Sequence, residues 1–156
     1  TYETVLEYLK KIGKENVEVV LNENEDLTQM HDIAGQIEEM KERKIWLKCG
    51  GFITIDKTEA LTAIDINSGK FTGKKNSSKE NTIYKVNQEA TVEIAKQLRL
   101  RNISGIIVID YIDMEEEKDR KNIMNLLEKE LKKDRSKTQI MGFTKLDLLE
   151  MTRKKL

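Results

Sequence analysis

The sequence contains no proline, a single cysteine (Cys49) and a single histidine (His31). One cysteine excludes an internal disulfide and a Cys-x-x-Cys metal site, so a reducing cytoplasm is the expected compartment. His31 has neither a cysteine nor a second histidine near it in the sequence, which argues against a zinc site or a catalytic histidine. Cys49, beside Gly50, is interpreted as a small packing residue. Because the sequence has no proline, its turns must depend on Gly, Asn, Asp and Ser.

The chain also lacks net charge and long apolar runs. Its 28 basic residues balance 28 acidic ones, so only their distribution can indicate a nucleic-acid partner. No apolar run approaches the roughly 18 residues of a membrane span, and no secretory leader is recognisable. A length of 156 residues predicts one domain with a sizeable core. Because the chain starts at Thr1 rather than Met, we expect it to be part of a longer protein.

Hydrophobic periodicity predicts an α/β fold with a mixed sheet and flanking helices. The predicted elements, in order, are a helix over 1–12 ended by Gly13, a strand at 17–21, a polar helix from about 27 to 43, a three-strand meander over 44–67, a long helix from about 80 to 101, a strand within 105–114, an amphipathic helix opened by the acidic segment 114–122, a strand at 138–143 and a final basic helix over 145–156. The run "GIIVID" is typical of a strand buried on both faces. Strand, long helix and strand together predict a crossover between parallel neighbours.

Asp65 and Asp110 occupy matching positions, each after an apolar strand and before a loop. Ligands of open α/β sheets collect beyond the carboxyl ends of the strands. Two carboxylates held together there repel each other unless a cation or proton neutralises them, and Mg²⁺ suits such a pair. Asn67 and Asp113 lie close enough in sequence to orient a ligand or a water. The competing interpretation is that each aspartate caps a turn or helix.

Basic residues form a second candidate site. Lys70, Lys74 and Lys75 lie in a Gly/Ser-rich loop, and Arg99 and Arg101 end the long helix, all as candidate contacts to the phosphate oxygens of a nucleic acid. A solvated lysine face is the alternative. The loop is not a Walker A sequence, because only three residues separate its glycines and no Ser or Thr follows the lysine.

Aromatic residues suitable for base stacking are few. Phe71, in the same loop, is the better candidate for stacking on a base. Trp46 lies in an alternating strand and is predicted to belong to the core.

Three segments, "GGFITIDKTEALTAIDINSGKFTG", "NQEATVEIAKQLRLRNISGIIVIDYIDM" and "LLEMTRKKL", closely resemble the catalytic region of the ribonuclease E/G family. The resemblance is continuous over 43–156 and looser over 1–42, which implies a single DNase I-like catalytic subdomain. It implies a Mg²⁺-dependent endoribonuclease that hydrolyses single-stranded RNA to 5′-phosphate and 3′-hydroxyl ends. Asp65 and Asp110 would hold the metal, and Asn67 would position the water or the scissile phosphate.

The resemblance further implies a bacterial cytoplasmic protein, homo-oligomeric at full length, that acts in rRNA and tRNA processing and in mRNA decay. Asp147 stands where a glycine is common in the family, and Lys145 where an arginine is frequent. Two other functions fit the same pattern: an RNA-binding module without catalysis, and a nucleotide-binding α/β domain that uses the strand-end acids.

Overall fold

The computed structural model describes residues 1–23, 26–69 and 79–156. It divides into two compact units, Thr1–Glu39 and Met40–Leu156. The predicted RNA contacts Lys70, Phe71, Lys74 and Lys75 lie outside the described residues. None of the described helices is long and apolar enough to cross a membrane.

The described residues of the first unit form three helices: α1 (Tyr2–Lys11), α2 (Leu27–Met30) and α3 (Ile33–Glu39). Gly13 follows the end of helix α1, as predicted, with a φ of 67°. This conformation lets the Gly13 N–H donate to the Lys10 carbonyl. It also lets the Lys14 N–H donate to the Leu9 carbonyl. The predicted strand at 17–21 is wrong, because this segment forms no strand. The single polar helix predicted over 27–43 is interrupted at Asp32, which has a φ of 46° and accepts a hydrogen bond from the Gly35 N–H.

The second unit is a six-stranded mixed sheet with two helices, which confirms the predicted fold class. Its elements are β1 (Lys44–Trp46), β2 (Phe52–Lys57), β3 (Leu61–Asn67), α4 (Lys79–Leu100), β4 (Gly105–Asp110), α5 (Glu117–Leu131), β5 (Thr138–Phe143) and β6 (Leu148–Arg153). The strand order is β1-β2-β3-β4-β6-β5. Strands β3 and β4, joined through α4, are parallel as predicted, and the other neighbouring pairs are antiparallel.

The predicted final helix is wrong, because 148–153 forms strand β6 between β4 and β5. Leu149, Met151 and Arg153 are buried, whereas Glu150 and Thr152 are exposed. This alternation has the period of a strand covered on one face. Helix-favouring Leu, Glu and Met suggested a helix, but pairing with β4 on one side and β5 on the other overrides that local preference.

One apolar core lies between the sheet and its helices. Side chains from α4 and α5 share it with inward residues of the strands, and the fully buried members include Ile53, Val86, Ala90, Ile94, Leu98, Ile107, Ile109, Ile123, Leu127 and Leu149. Both helices therefore cover the same face. The prediction that β4 is buried on both faces is wrong, since Ile106 is 52% exposed and Val108 is half-buried. Neither of these two helices covers the opposite face of the sheet, called the open face here.

A buried ion pair closes the end of the sheet away from Asp110. Arg153 donates from Nε and Nη2 to the two carboxylate oxygens of Asp134, at 2.7 and 3.2 Å. Its Nη1 donates to the Asn102 side chain and to the Ile103 carbonyl, at 3.0 and 2.9 Å. The side chains of Arg153 and Asp134 are 0% and 2% exposed. Burial by itself raises the pKa of Asp134, but the hydrogen bonds from Arg153 and the Ser136 N–H and the charge of Arg153 outweigh it, so the pKa is lowered.

Candidate active site

Asp65 and Asp110 are register partners on the central parallel strands β3 and β4. Neighbouring strands lie about 4.8 Å apart, so the two residues stand side by side in the middle of the sheet. Both are exposed, and the residues next to them in their strands, Ile64, Ile66 and Ile109, are buried. The two carboxylates therefore project from the open face. Asp110 ends its strand, whereas Asp65 lies two residues before the end of β3.

Asn67 and Asp113 complete the surroundings of the pair. The amide of Asn67 donates to a carboxylate oxygen of Asp65 at 2.6 Å, because residues two apart in a strand share one face. Burial, then the charges of Asp65 and Asp113, raise the pKa of Asp110. The site is therefore an acidic group of side chains whose mutual repulsion favours a bound cation or proton.

The donor set fits a magnesium ion better than a transition metal. Magnesium takes oxygen ligands, keeps several waters and is held by one or two carboxylates plus a substrate phosphate. Asp65 and Asp110 supply two such carboxylates. Over the described ranges, no group of three or more His, Cys, Asp or Glu side chains is placed to hold a metal, as a structural zinc site would require.

The segment after β4 is held in place by Asn87 of α4, a residue that sequence reasoning missed. Its side chain donates to the Ile112 carbonyl at 2.8 Å and accepts from the Ile112 N–H at 3.2 Å. Asn87 is fully buried, and its main-chain carbonyl accepts a hydrogen bond from the Thr91 hydroxyl. That hydroxyl lies 3.0 Å from the hydroxyl of Tyr111. Asn87 thus fixes the backbone that connects Asp110 to Asp113. The sequence did carry a signal: an amide within the apolar stripe of a helix.

The end of β3 packs on a turn that is anchored by Glu89, also on α4. The Glu89 carboxylate accepts the N–H groups of Lys48 and Cys49 in the turn between β1 and β2. This turn packs so closely on the end of β3 that a Cβ at Gly51 would lie 2.8 Å from the Asn67 carbonyl oxygen. Only glycine fits at this crossing. Helix α4 therefore supports both strand ends that carry the candidate site.

Cations and aromatic rings lie on the same open face. Arg43 pairs with Asp56 at 2.5 and 2.6 Å, and the hydrogen bond and charge of Asp56, together with the charge of Asp65, raise the pKa of Arg43. Trp46 is 64% exposed, so its predicted place in the core is wrong. The alternation of β1 directs Ile45 toward the core and Trp46 toward the face that the helices leave uncovered.

The structure does not bring the predicted phosphate contacts Arg99 and Arg101 to the aspartate pair. Arg99 donates to the Glu130 carbonyl at 3.4 Å, linking α4 to α5. Arg101 donates to Gln97 and to the Glu42 carbonyl, and burial lowers its pKa. Arg99 and Arg101 follow Asn87, which contacts the segment after Asp110, by 12 and 14 residues, so they lie roughly 20 Å further along the axis of α4.

Comparison with known proteins gives a consistent result. The model of the ribonuclease E/G family matches residues 1–156. The chain belongs to the ribonuclease E/G family. It is 45% identical to ribonuclease G of Salmonella typhimurium and 44% identical to ribonuclease G of Escherichia coli K12, in each case over 99% of this chain and 32% of the relative.

The similarity extends to the other branch of the ribonuclease E/G family. Ribonuclease E of Nostoc sp. is 45% identical over 79% of this chain and 18% of its own length. The chain thus spans about a third of the length of the ribonuclease G relatives. Membership of the family agrees with the resemblance found from the sequence segments that contain Asp65, Asn67 and Asp110.

Proposed function

We propose that this chain is the catalytic subdomain of a Mg²⁺-dependent endoribonuclease that cleaves single-stranded RNA. The observation that carries the proposal is the register pairing of Asp65 with Asp110 on an exposed sheet face, with Asn67 hydrogen-bonded to Asp65. Relatives named ribonuclease G and ribonuclease E support the reaction class.

The proposed reaction is hydrolysis of a phosphodiester bond. A water oxygen bonds to phosphorus and loses a proton while the bond from phosphorus to the 3′ oxygen breaks, and the departing oxygen takes up a proton. The products carry a 5′-phosphate and a 3′-hydroxyl. Asp65 and Asp110 hold the metal, and a bound Mg²⁺ supplies stabilisation of the charge that develops on the phosphate. Asn67 fixes the orientation of the Asp65 carboxylate and offers an amide to the water or the phosphate.

In keeping with the family resemblance, we place the full-length protein in the bacterial cytoplasm, as a homo-oligomer that processes rRNA and tRNA and degrades mRNA. Asn87 and Glu89 act as positioning residues in this proposal. They touch the backbone around the site rather than the substrate.

The test uses the full-length protein that contains this chain and an end-labelled single-stranded oligoribonucleotide, with Mg²⁺ or with EDTA. Asp65→Asn and Asp110→Asn should abolish the Mg²⁺-dependent cleavage while far-UV circular dichroism stays unchanged. The matched control is Glu150→Gln, which removes an exposed carboxylate from β6 at the register partner of Val108. Cleavage at the wild-type rate by either asparagine variant would overturn the proposal.

The same experiment separates the two other functions. A non-catalytic RNA-binding module would bind the oligonucleotide equally well after both aspartates are replaced and without Mg²⁺. A nucleotide-binding domain would bind Mg²⁺ together with a mononucleotide, and the RNA strand would not raise its affinity for Mg²⁺. In a nuclease, bound RNA raises the affinity for Mg²⁺ and bound Mg²⁺ raises the affinity for RNA.

A further inference from the structure

Two aromatic rings and one cation form a compact group on the open face of the sheet. The rings of Trp46 and Phe52 meet edge to face, with centroids 5.3 Å apart. Lys44 Nζ lies 4.0 Å from the centroid of Trp46 and 3.6 Å from that of Phe52. We call Lys44, Trp46 and Phe52 the aromatic platform. Most of the indole surface stays exposed, at 64% for Trp46.

The aromatic platform lies on the same face as the candidate metal ligands. Phe52 is the register partner of both Trp46 and Asn67, and directly paired residues of antiparallel strands project to one side. One strand spacing is about 4.8 Å, so β1 lies about 10 Å from β3. The platform is therefore close enough to receive a base near a phosphate held at Asp65 and Asp110.

The chemistry of the surface selects a nucleic-acid strand as its occupant. Single-stranded RNA is bound by aromatic faces that stack on bases and by cations that neutralise phosphates. The platform offers the exposed ring of Trp46 and the half-buried ring of Phe52, with Lys44 beside both. A purely apolar partner would desolvate Lys44 without supplying a counter-charge, which is costly. The charge of Lys44 favours a polyanion instead.

We propose that the aromatic platform is a base-stacking subsite, which holds a nucleobase of single-stranded RNA close to the scissile phosphate. This inference rests on the proposed ribonuclease function and adds a substrate contact to it. Because stacking needs no hydrogen bonds to base edges, the subsite accepts any base and favours unpaired strands over duplexes.

The chain provides its own probe, since Trp46 is its only tryptophan. Titrating a single-stranded oligoribonucleotide in EDTA should quench the fluorescence of Trp46 without cleavage. An oligonucleotide of the same length whose nucleotides lack bases keeps the phosphates and should not quench. Equal quenching by both strands, or quenching by neither, would overturn the inference.

Replacement of the indole gives the second readout. Trp46→Leu should weaken binding of the normal strand about 5- to 150-fold, as expected for loss of one stacked base, while binding of the base-free strand stays unchanged. Trp46→Phe should restore most of the affinity. The matched control is Tyr8→Leu, which removes an aromatic ring of similar exposure, 61%, from α1. Fluorescence anisotropy of the labelled strand measures all three variants.

The two proposals fail in different ways. If Trp46→Leu binds the normal strand as tightly as the wild type while Asp110→Asn abolishes cleavage, only the stacking subsite is refuted. If Asp110→Asn cleaves normally, the nuclease proposal is refuted, and the quenching experiment still reports whether bases stack on Trp46.

Discussion

The buried ion pair between Arg153 and Asp134 allows a prediction whose magnitude follows from the structure. Replacing Arg153 with Met leaves the Asp134 carboxylate with the Ser136 N–H as its remaining described donor. The replacement also removes the hydrogen bond that Arg153 donates to the Ile103 carbonyl. Removing one partner of a buried pair costs about 3–5 kcal/mol, because an uncompensated charge stays out of water. We therefore expect Arg153→Met to lose about 3–5 kcal/mol of unfolding free energy.

The assay is urea unfolding followed by the fluorescence of Trp46, which reports on the sheet. The chain contains a matched control, the two-pronged pair of Arg43 with Asp56, whose side chains are 67% and 47% exposed. Because water solvates both partners there, Arg43→Met should change the stability only within experimental error. If Arg153→Met prevents folding altogether, Arg153→Lys keeps the charge and should show an intermediate loss.

A double variant tests the cause of the loss. Arg153→Met combined with Asp134→Leu removes both charges, so it should be more stable than Arg153→Met alone. Similar losses for Arg153→Met and Arg43→Met, or a double variant no more stable than the single one, would refute the reasoning.

The pH dependence of stability follows from the same pair. The pKa of Asp134 is lower in the folded protein than in the unfolded chain, where it is about 3.9. Its contribution to stability is therefore complete well above pH 4 and is lost as the pH falls through the folded-state value. Wild type should lose stability in acid more steeply than the double variant in which Asp134 is Leu.

Three further predictions concern the candidate site and the last hairpin. Asn87→Ala should lower the unfolding free energy by about 2 kcal/mol or more, because the carbonyl and N–H of Ile112 lose their partner. It should also slow Mg²⁺-dependent cleavage. Unchanged values in urea unfolding and in the cleavage assay would contradict this prediction. Asp110→Asn should raise the metal-free stability by about 0.5–1 kcal/mol at low salt, because burial and then repulsion by Asp65 and Asp113 disfavour the charged Asp110 carboxylate. It should also abolish the stabilisation by Mg²⁺ in thermal unfolding, and a destabilised variant would contradict the prediction. Asp147→Gly should raise the unfolding free energy by up to about 1 kcal/mol, because Asp147 has a φ of 59°, which glycine adopts more readily. Asp147→Asn should leave the unfolding free energy nearly unchanged, and urea unfolding measures both variants.

Much of the second unit could be predicted because its signals are local. The long helix α4 buries Val86, Ala90, Ile94 and Leu98 at helical spacing, as its pattern indicates. Alternation and turn residues located the meander of β1, β2 and β3. The parallel pairing of β3 with β4 followed from the helix between them. Strand β6 escaped prediction, because its residues favour a helix in isolation and only its position between β4 and β5 makes it a strand.

In the candidate site, too, the residues with a local signal could be predicted and those with distant partners could not. Asp65, Asn67 and Asp110 could be proposed as site residues from the sequence, because acids and amides after apolar strands are visible locally. Asn87 was missed, since its partner is the backbone of Ile112, 25 residues away in the chain. Contacts of this kind depend on how α4 packs against the sheet.

The sequence by itself determined the mixed α/β class, the two helices of the second unit and the matching positions of Asp65 and Asp110, because periodicity and strand ends are properties of neighbouring residues. Only the tertiary structure decided which face of the sheet is covered. With α4 and α5 on one side, the apolar strand β4 exposes Ile106, and Trp46 projects to the surface with the aspartate pair. The choice of face arises from packing between distant segments, which no local pattern records.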